Sequence, residues 1–134
     1  MKIIIPMSGF GNRFLKAGYK LPKPLIEVEG IPIIQHVINL FKNEKDFIFI
    51  CNNDHLETTQ MRNILESICP TGKIIGIESH KKGPVYAVSK VFDYIDDEEP
   101  VFVNYCDFCC YWDYKNLKKI INSDSFDGIV PAYK

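Results

Sequence analysis

KIIIPMSGFGNRFLKAGYKLPKPL, residues 2–25, decides how the rest of the chain is to be read. Its opening, Lys2–Ile5, is short, apolar and β-branched, the signature of a buried strand. Residues 7–24 cannot continue as ordinary core. They are too broken by glycine and proline for one long helix and too basic for a buried strand. A long loop is expected, with one helical turn near Asn12–Lys16. A strand that runs straight into a glycine-rich loop raises a question about the downstream order of elements.

That order alternates. LIEV (25–28) reads as a short extended piece, and Glu29-Gly30 turns the chain. Pro32 suits the first position of a helix in which Ile33, Ile34, Val37, Ile38 and Phe41 form one apolar stripe. FIFI (47–50) is a second strand. Asp54 can cap a helix over 55–67, with Leu56, Met61, Ile64, Leu65 and Ile68 turned inward. KIIGI (73–77) is a third strand, and Pro84 opens a helix carrying Val85, Val88, Val91, Phe92 and Ile95. VFVNY (101–105) is a fourth strand. Asp113 can cap a helix with Leu117, Ile120 and Ile121, and GIV (128–130) is a fifth strand. Alternating strands and helices predict an α/β fold of three layers, Rossmann-like, with a mainly parallel central sheet and helices on both faces. In such sheets ligands bind beyond the carboxyl ends of the strands, so the loops after the strands carry the functional information.

Composition narrows the function. The 134 residues suffice for one domain with a real core. Apolar content of 46% and charged content of 25% are those of an ordinary globular chain. A net charge of −1 argues against bulk electrostatic binding to nucleic acid or an anionic membrane, so any basic site must be local. No run approaches the length of a membrane span, and MKIIIPM lacks a signal-peptide pattern, so a cytoplasmic location is expected. The five cysteines are not spaced as a disulfide framework. Cys106 and Cys109 form a C-x-x-C, but no second pair or paired histidines complete a zinc site, and structural thiols are the simpler reading.

Three readings compete for the loop. The dinucleotide fingerprint G-x-G-x-x-G finds Gly9 and Gly11 but Phe14 at its third glycine, although Glu27 or Glu29 lies near the distance of a ribose-binding acid. The P-loop string is absent. A plain surface turn would explain two glycines alone. The company they keep favours a polyphosphate: glycine lets backbone N–H groups form an anion-binding nest. Arg13 adds a forked, permanently charged donor. Flanking prolines restrain Lys23 so that less entropy is lost when its ammonium engages a ligand.

Ser8-Gly9-Phe10-Gly11-Asn12-Arg13-Phe14, then Pro22-Lys23-Pro24-Leu25, then Val28-Glu29-Gly30-Ile31-Pro32 resembles the sugar-nucleotide pyrophosphorylases and related cytidylyltransferases, in the style of bacterial capsule-biosynthesis members. That family shows G-x-G-x-R, P-K-P-L and V-x-G-x-P in this order. The pattern covers about the first quarter of the chain, with weaker echoes to residue 107, and Met7-Ser8 departs from the family's usual small residues. The resemblance implies the nucleotide-diphospho-sugar transferase type of fold and a set of roles. Met7, Ser8, Gly9, Phe10, Gly11 and Asn12 would bind the nucleotide. Arg13 would neutralise the departing pyrophosphate, and Lys23 would bridge the α-phosphate and the acceptor's phosphate. Gly83 and Ala87, in a G-x-x-x-A turn, would lie against the base, and His80 could touch base or substrate. Asp107 would bind Mg²⁺.

The expectation is a nucleotidyltransferase that joins a nucleoside triphosphate, a pyrimidine one favoured (CTP, dTTP or UTP), to a sugar phosphate or other small phosphorylated acceptor, releasing pyrophosphate in surface-polysaccharide biosynthesis. Residues 1–134 are expected to form a single domain, the nucleotide-binding half of a longer one cut short at its C-terminus. Asp113, Asp124 and Asp127 are carboxylates without an assigned role. The alternatives are a non-catalytic nucleotide-binding module acting through a partner chain and an NAD(P)-binding oxidoreductase. Self-association is left open.

Overall fold

Residues 1–123 and 126–132 are described in the computed structural model. The chain runs β1 (Lys2–Met7), α1 (Asn12–Lys16), a 3₁₀ turn (Lys23–Leu25), β2 (Glu27–Val28), β3 (Ile31–Pro32) and α2 (Ile33–Asn39). It continues through β4 (Phe47–Asn52), α3 (Asn53–Thr58), α4 (Met61–Ile68), β5 (Lys73–Ile77), α5 (Pro84–Ser89), a 3₁₀ turn (Phe92–Tyr94), β6 (Val101–Val103) and α6 (Tyr114–Ile121). Four strands pair in parallel in the order β5-β4-β1-β6. The register sets Ile3 opposite Phe47 and Met7 opposite Cys51.

Burial explains the continuous apolar runs. Successive strand residues point to opposite faces, and both faces are covered. Ile3, Ile5, Met7, Phe47, Phe49 and Cys51 pack under α2 and α4 with Ile34, Val37, Met61 and Leu65. Ile4, Ile48 and Ile50 face the other way, against Ala87 and Val91. Each fully buried isoleucine or phenylalanine contributes about 1.5–3 kcal/mol relative to exposure. Phe41 gathers the rim of the larger cluster, with edge-on contacts to Phe47, Phe102, Trp112 and Tyr114. No helix among the described residues is long and apolar enough to cross a membrane.

The three-layer α/β reading holds, and several local expectations need correction. The helix expected over 55–67 is two helices. Asn52, not Asp54, caps the first: its side-chain oxygen accepts the Asp54 N–H at 2.9 Å. The break falls at Thr59, whose backbone is extended. Thr58 and Thr59 donate their hydroxyls to the carbonyls of Asp54 and His55, and Thr59 Oγ1 then accepts the Met61 N–H, so threonine side chains take over backbone partners at the break. Pro32 is the cap of α2 rather than its first residue, because it still pairs with Glu27 in a small antiparallel hairpin. The hairpin turns at Glu29 and Gly30, both at positive φ. Helix α5 is shorter than its apolar pattern, and Val85 and Phe92 are exposed. Strand β6 ends at Val103. Gly128–Val130 form no strand: Ile129 and Val130 are exposed, so no apolar layer covers this run as it covers the central strands. Asp113 caps α6, accepting the Asn116 N–H at 3.0 Å. Asp124 lies outside the described residues.

Candidate active site

Parallel pairing brings the carboxyl ends of all four sheet strands to one edge, and the loops beyond them enclose a cleft of about 340 Å³. Three segments build it. The loop after β1 supplies Met7, Ser8, Gly9, Gly11, Asn12 and Arg13, and the Lys23–Leu25 turn supplies Lys23. The segment after β5 supplies His80 and Gly83, and Tyr105 and Cys106 close it from the end of β6.

Glycine is required at two of these places. Gly11 (φ +65°) leads into α1 and Gly83 (φ +82°) leads into α5. An added Cβ would touch nothing within 4 Å at either, so the constraint is the left-handed backbone rather than crowding. Positive φ at Gly11 is a backbone state from which an anion-binding nest can be built. The Lys23 turn works by anchoring: Pro24 and Leu25 are buried, which leaves Lys23 projecting from a fixed base.

Lys23, on the cleft lining, reaches Asp107. Its ammonium forms an ion pair with Asp107 Oδ2 and lies 5.0 Å from the centre of the Phe14 ring. The lysine side chain is 23% exposed and the aspartate 34%, so both remain open to a ligand. Arg13 is exposed on the cleft wall and has no carboxylate partner among the described residues. The cleft is therefore locally cationic in a chain of net charge −1. His80 Nε2 stands 3.2 Å from Ser8 Oγ and ties the β5 segment to the end of β1. Cys106 is not a nucleophile here, since burial and then the Asp107 charge push its thiol up to about 12.

The geometry brings together Met7, Ser8, Gly9, Gly11, Asn12, Arg13, Lys23 and Gly83, with Asp107 joined through its ion pair. Phe10 and Ala87 lie elsewhere. Phe10 lines a small hollow behind the loop with His55, Thr58 and Thr59. Ala87 is the buried residue of α5, packed among Ile4, Ile48 and Ile50. Sequence reasoning left His80 uncommitted and did not count Tyr105 or Cys106 as cleft residues. Nothing local marks them: His80 meets Ser8 across 72 residues.

As for a metal, among the described residues no group of three or more histidines, cysteines or acids is arranged to hold one alone. One accessible carboxylate, Asp107, beside a cationic cleft is a donor set that suits magnesium together with phosphate. That ion takes one or two carboxylates and fills its remaining positions with phosphate oxygens and water.

Comparison with known proteins bears on the family and the fold. Residues 3–134 match the MobA-like NTP transferase domain. The UTP–glucose-1-phosphate uridylyltransferase of Haemophilus ducreyi is 29% identical over 75 residues, 49% of this chain and 25% of that protein. The glucose-1-phosphate cytidylyltransferase of Salmonella typhimurium is 36% identical over 53 residues, 38% of this chain and 21% of that protein. The inositol-1-phosphate CTP transferase of T. maritima superimposes with a TM-score of 0.64 at 20% identity, over 79% of this chain and 43% of that one. The chain thus spans well under two thirds of the length of each of these relatives. It belongs to the MobA-like NTP transferase family.

Proposed function

We propose that this member of the MobA-like NTP transferase family joins a nucleoside triphosphate to a small phosphorylated acceptor, a sugar phosphate being favoured, and releases pyrophosphate. One observation carries the reading. Arg13 and Lys23 line a single cleft with the glycine loop, and the Lys23 ammonium is paired to Asp107 from a separate strand end. Cations, open backbone amides and one carboxylate around a cavity of this size suit a triphosphate better than a dinucleotide, whose fingerprint lacks its third glycine at Phe14.

An acceptor phosphate oxygen attacks the α-phosphorus in line, a new P–O bond forms, and the bond to the bridging oxygen of the pyrophosphate breaks. No protein nucleophile is needed. Position and charge neutralisation supply the catalysis. Lys23 offsets charge shared between the α-phosphate and the acceptor's phosphate. Arg13 offsets charge on the departing pyrophosphate. The backbone from Ser8 to Gly11 holds the remaining phosphate oxygens. Asp107 would hold Mg²⁺, which when bound supplies further neutralisation of phosphate charge. Lys23 must leave Asp107, at least in part, for both to serve.

The pyrimidine preference is drawn from the uridylyltransferase and cytidylyltransferase relatives. A cytoplasmic place in surface-polysaccharide assembly completes the proposal. The test is pyrophosphate release from CTP, UTP, dTTP and ATP in turn, with magnesium and a panel of sugar phosphates. Release with a pyrimidine triphosphate is expected. Nucleotide binding without release would point to a binding module, and NAD(P) binding without magnesium would point to an oxidoreductase.

A further inference from the structure

His80 makes two ring contacts that together settle its proton. Nδ1 accepts the backbone N–H of Lys82 at 3.3 Å. A neutral imidazole carries one N–H and one bare acceptor nitrogen. With Nδ1 as the acceptor, the proton sits on Nε2, and the 3.2 Å contact is Nε2–H donating to Ser8 Oγ. The Ser8 hydroxyl therefore accepts from His80 and must donate elsewhere. Among the described residues it has no protein acceptor. Ser8 is 3% exposed, at the end of β1, and it lines the cleft.

The imidazole is itself held in place. Tyr86 meets it edge-on with ring centres 4.7 Å apart. The Tyr86 ring in turn carries the Lys82 and Lys90 ammonium groups at 4.4 and 4.8 Å. A chain of contacts from α5 thus reaches the first residue of the phosphate loop.

We propose that His80 is a positioning residue, which fixes the Ser8 hydroxyl as a hydrogen-bond donor to a phosphate oxygen of the bound nucleoside triphosphate. The inference rests on the triphosphate reading of the cleft. It goes beyond that reading by assigning the Ser8 side chain, and not only its backbone, to the phosphates, and by giving His80 a role through Ser8. A hydrogen bond to a charged acceptor is lost with Ser8→Ala, which should weaken nucleotide binding by about tenfold.

The test is titration calorimetry of the full chain with the preferred triphosphate and magnesium, alongside thermal melts. Ser8→Ala and His80→Ala should each lose about tenfold in affinity, and the double variant should lose no more than either alone. His80→Gln places an amide N–H near the lost Nε2–H and should recover most of the affinity. His80→Asn places its amide nearer the Nδ1 position, cannot reach Ser8, and should not. Wild-type affinity in His80→Ala or Ser8→Ala, additive losses, or equal behaviour of the glutamine and asparagine variants would overturn the proposal. If His80→Ala melts early, the glutamine and asparagine pair decides alone. Absence of triphosphate binding by the wild-type chain would instead overturn the triphosphate reading, and this assignment with it.

Discussion

Replacing Lys23 by methionine separates catalysis from folding. The substitution keeps an unbranched side chain of similar length and removes the charge. In the folded protein it breaks the ion pair with Asp107 and the contact over Phe14. Both partners keep access to water, the lysine side chain at 23% and the aspartate at 34% exposure, so solvent can take over the carboxylate. Pairs of this kind are worth up to about 1 kcal/mol, and the ring contact adds about 0.5 kcal/mol. The anchors of the turn, Pro24 and Leu25, are untouched. The melting temperature should therefore fall by only about 4–6 °C. On the proposed mechanism the effect on turnover is much larger, because the ammonium would meet charge that develops in the transition state inside the cleft. Loss of one such preorganised donor costs about 10²–10³ in kcat. Lys23→Arg should restore the melting temperature more than the rate, since a planar fork does not replace a point charge. Coupled pyrophosphate detection measures the rate, and a thermal melt measures the fold. A methionine variant that releases pyrophosphate within about threefold of wild type would refute the role, because it would place the loss far below the donor effect.

Gly11→Ala should cost about 1 kcal/mol of stability and raise KM for the nucleotide, since alanine is strained at φ +65° although space is open around it; an unchanged melt and KM would show that the loop can relax. Glu44 provides a pH test away from the cleft. Burial opposes its ionisation, but hydrogen bonds from Lys118 (2.6 Å) and Tyr114 (2.7 Å) outweigh it and lower its pKa from the ordinary 4.5. A lowered carboxylate pKa contributes stability that is present above pH 4.5 and lost as pH falls through the folded-state value. Urea melts should therefore show wild type more stable than Glu44→Gln by about 1–2 kcal/mol at neutral pH, with the gap closing as pH falls below 4.5 and through the lowered folded-state value; a gap that stays the same size throughout that acid range would contradict the coupling.

Much of the fold was legible because its central strands are buried on both faces. KIII and FIFI carry no polar alternation, and the helices between them show clear apolar stripes, so a parallel sheet followed from order alone. Local competition hid the rest. The paired threonines at 58 and 59 divide a helix whose apolar spacing runs on unbroken. The Glu27–Pro32 hairpin is too short to announce itself. Gly128–Val130 have strand-like chemistry, yet Ile129 and Val130 stay exposed and the run forms no strand. In the cleft, glycine, arginine and the proline-flanked lysine could be picked out because their types are unusual in one loop. The Lys23–Asp107 pair and the His80–Ser8 contact could not, since each joins loops that only the finished sheet sets side by side. The G-x-x-x-A spacing put Gly83 and Ala87 together, but one helical turn separates a residue on the cleft from one in the core.

The central claim is that three separate strand-end loops meet on one triphosphate. Amide chemical-shift mapping of the labelled chain, titrated with the preferred pyrimidine triphosphate and magnesium, tests it most directly. The largest shifts should fall on Ser8–Arg13, Lys23, His80–Gly83 and Cys106–Asp107, with α4 and α6 unmoved. Shifts confined to one of these segments, or centred on another face of the sheet, would contradict it.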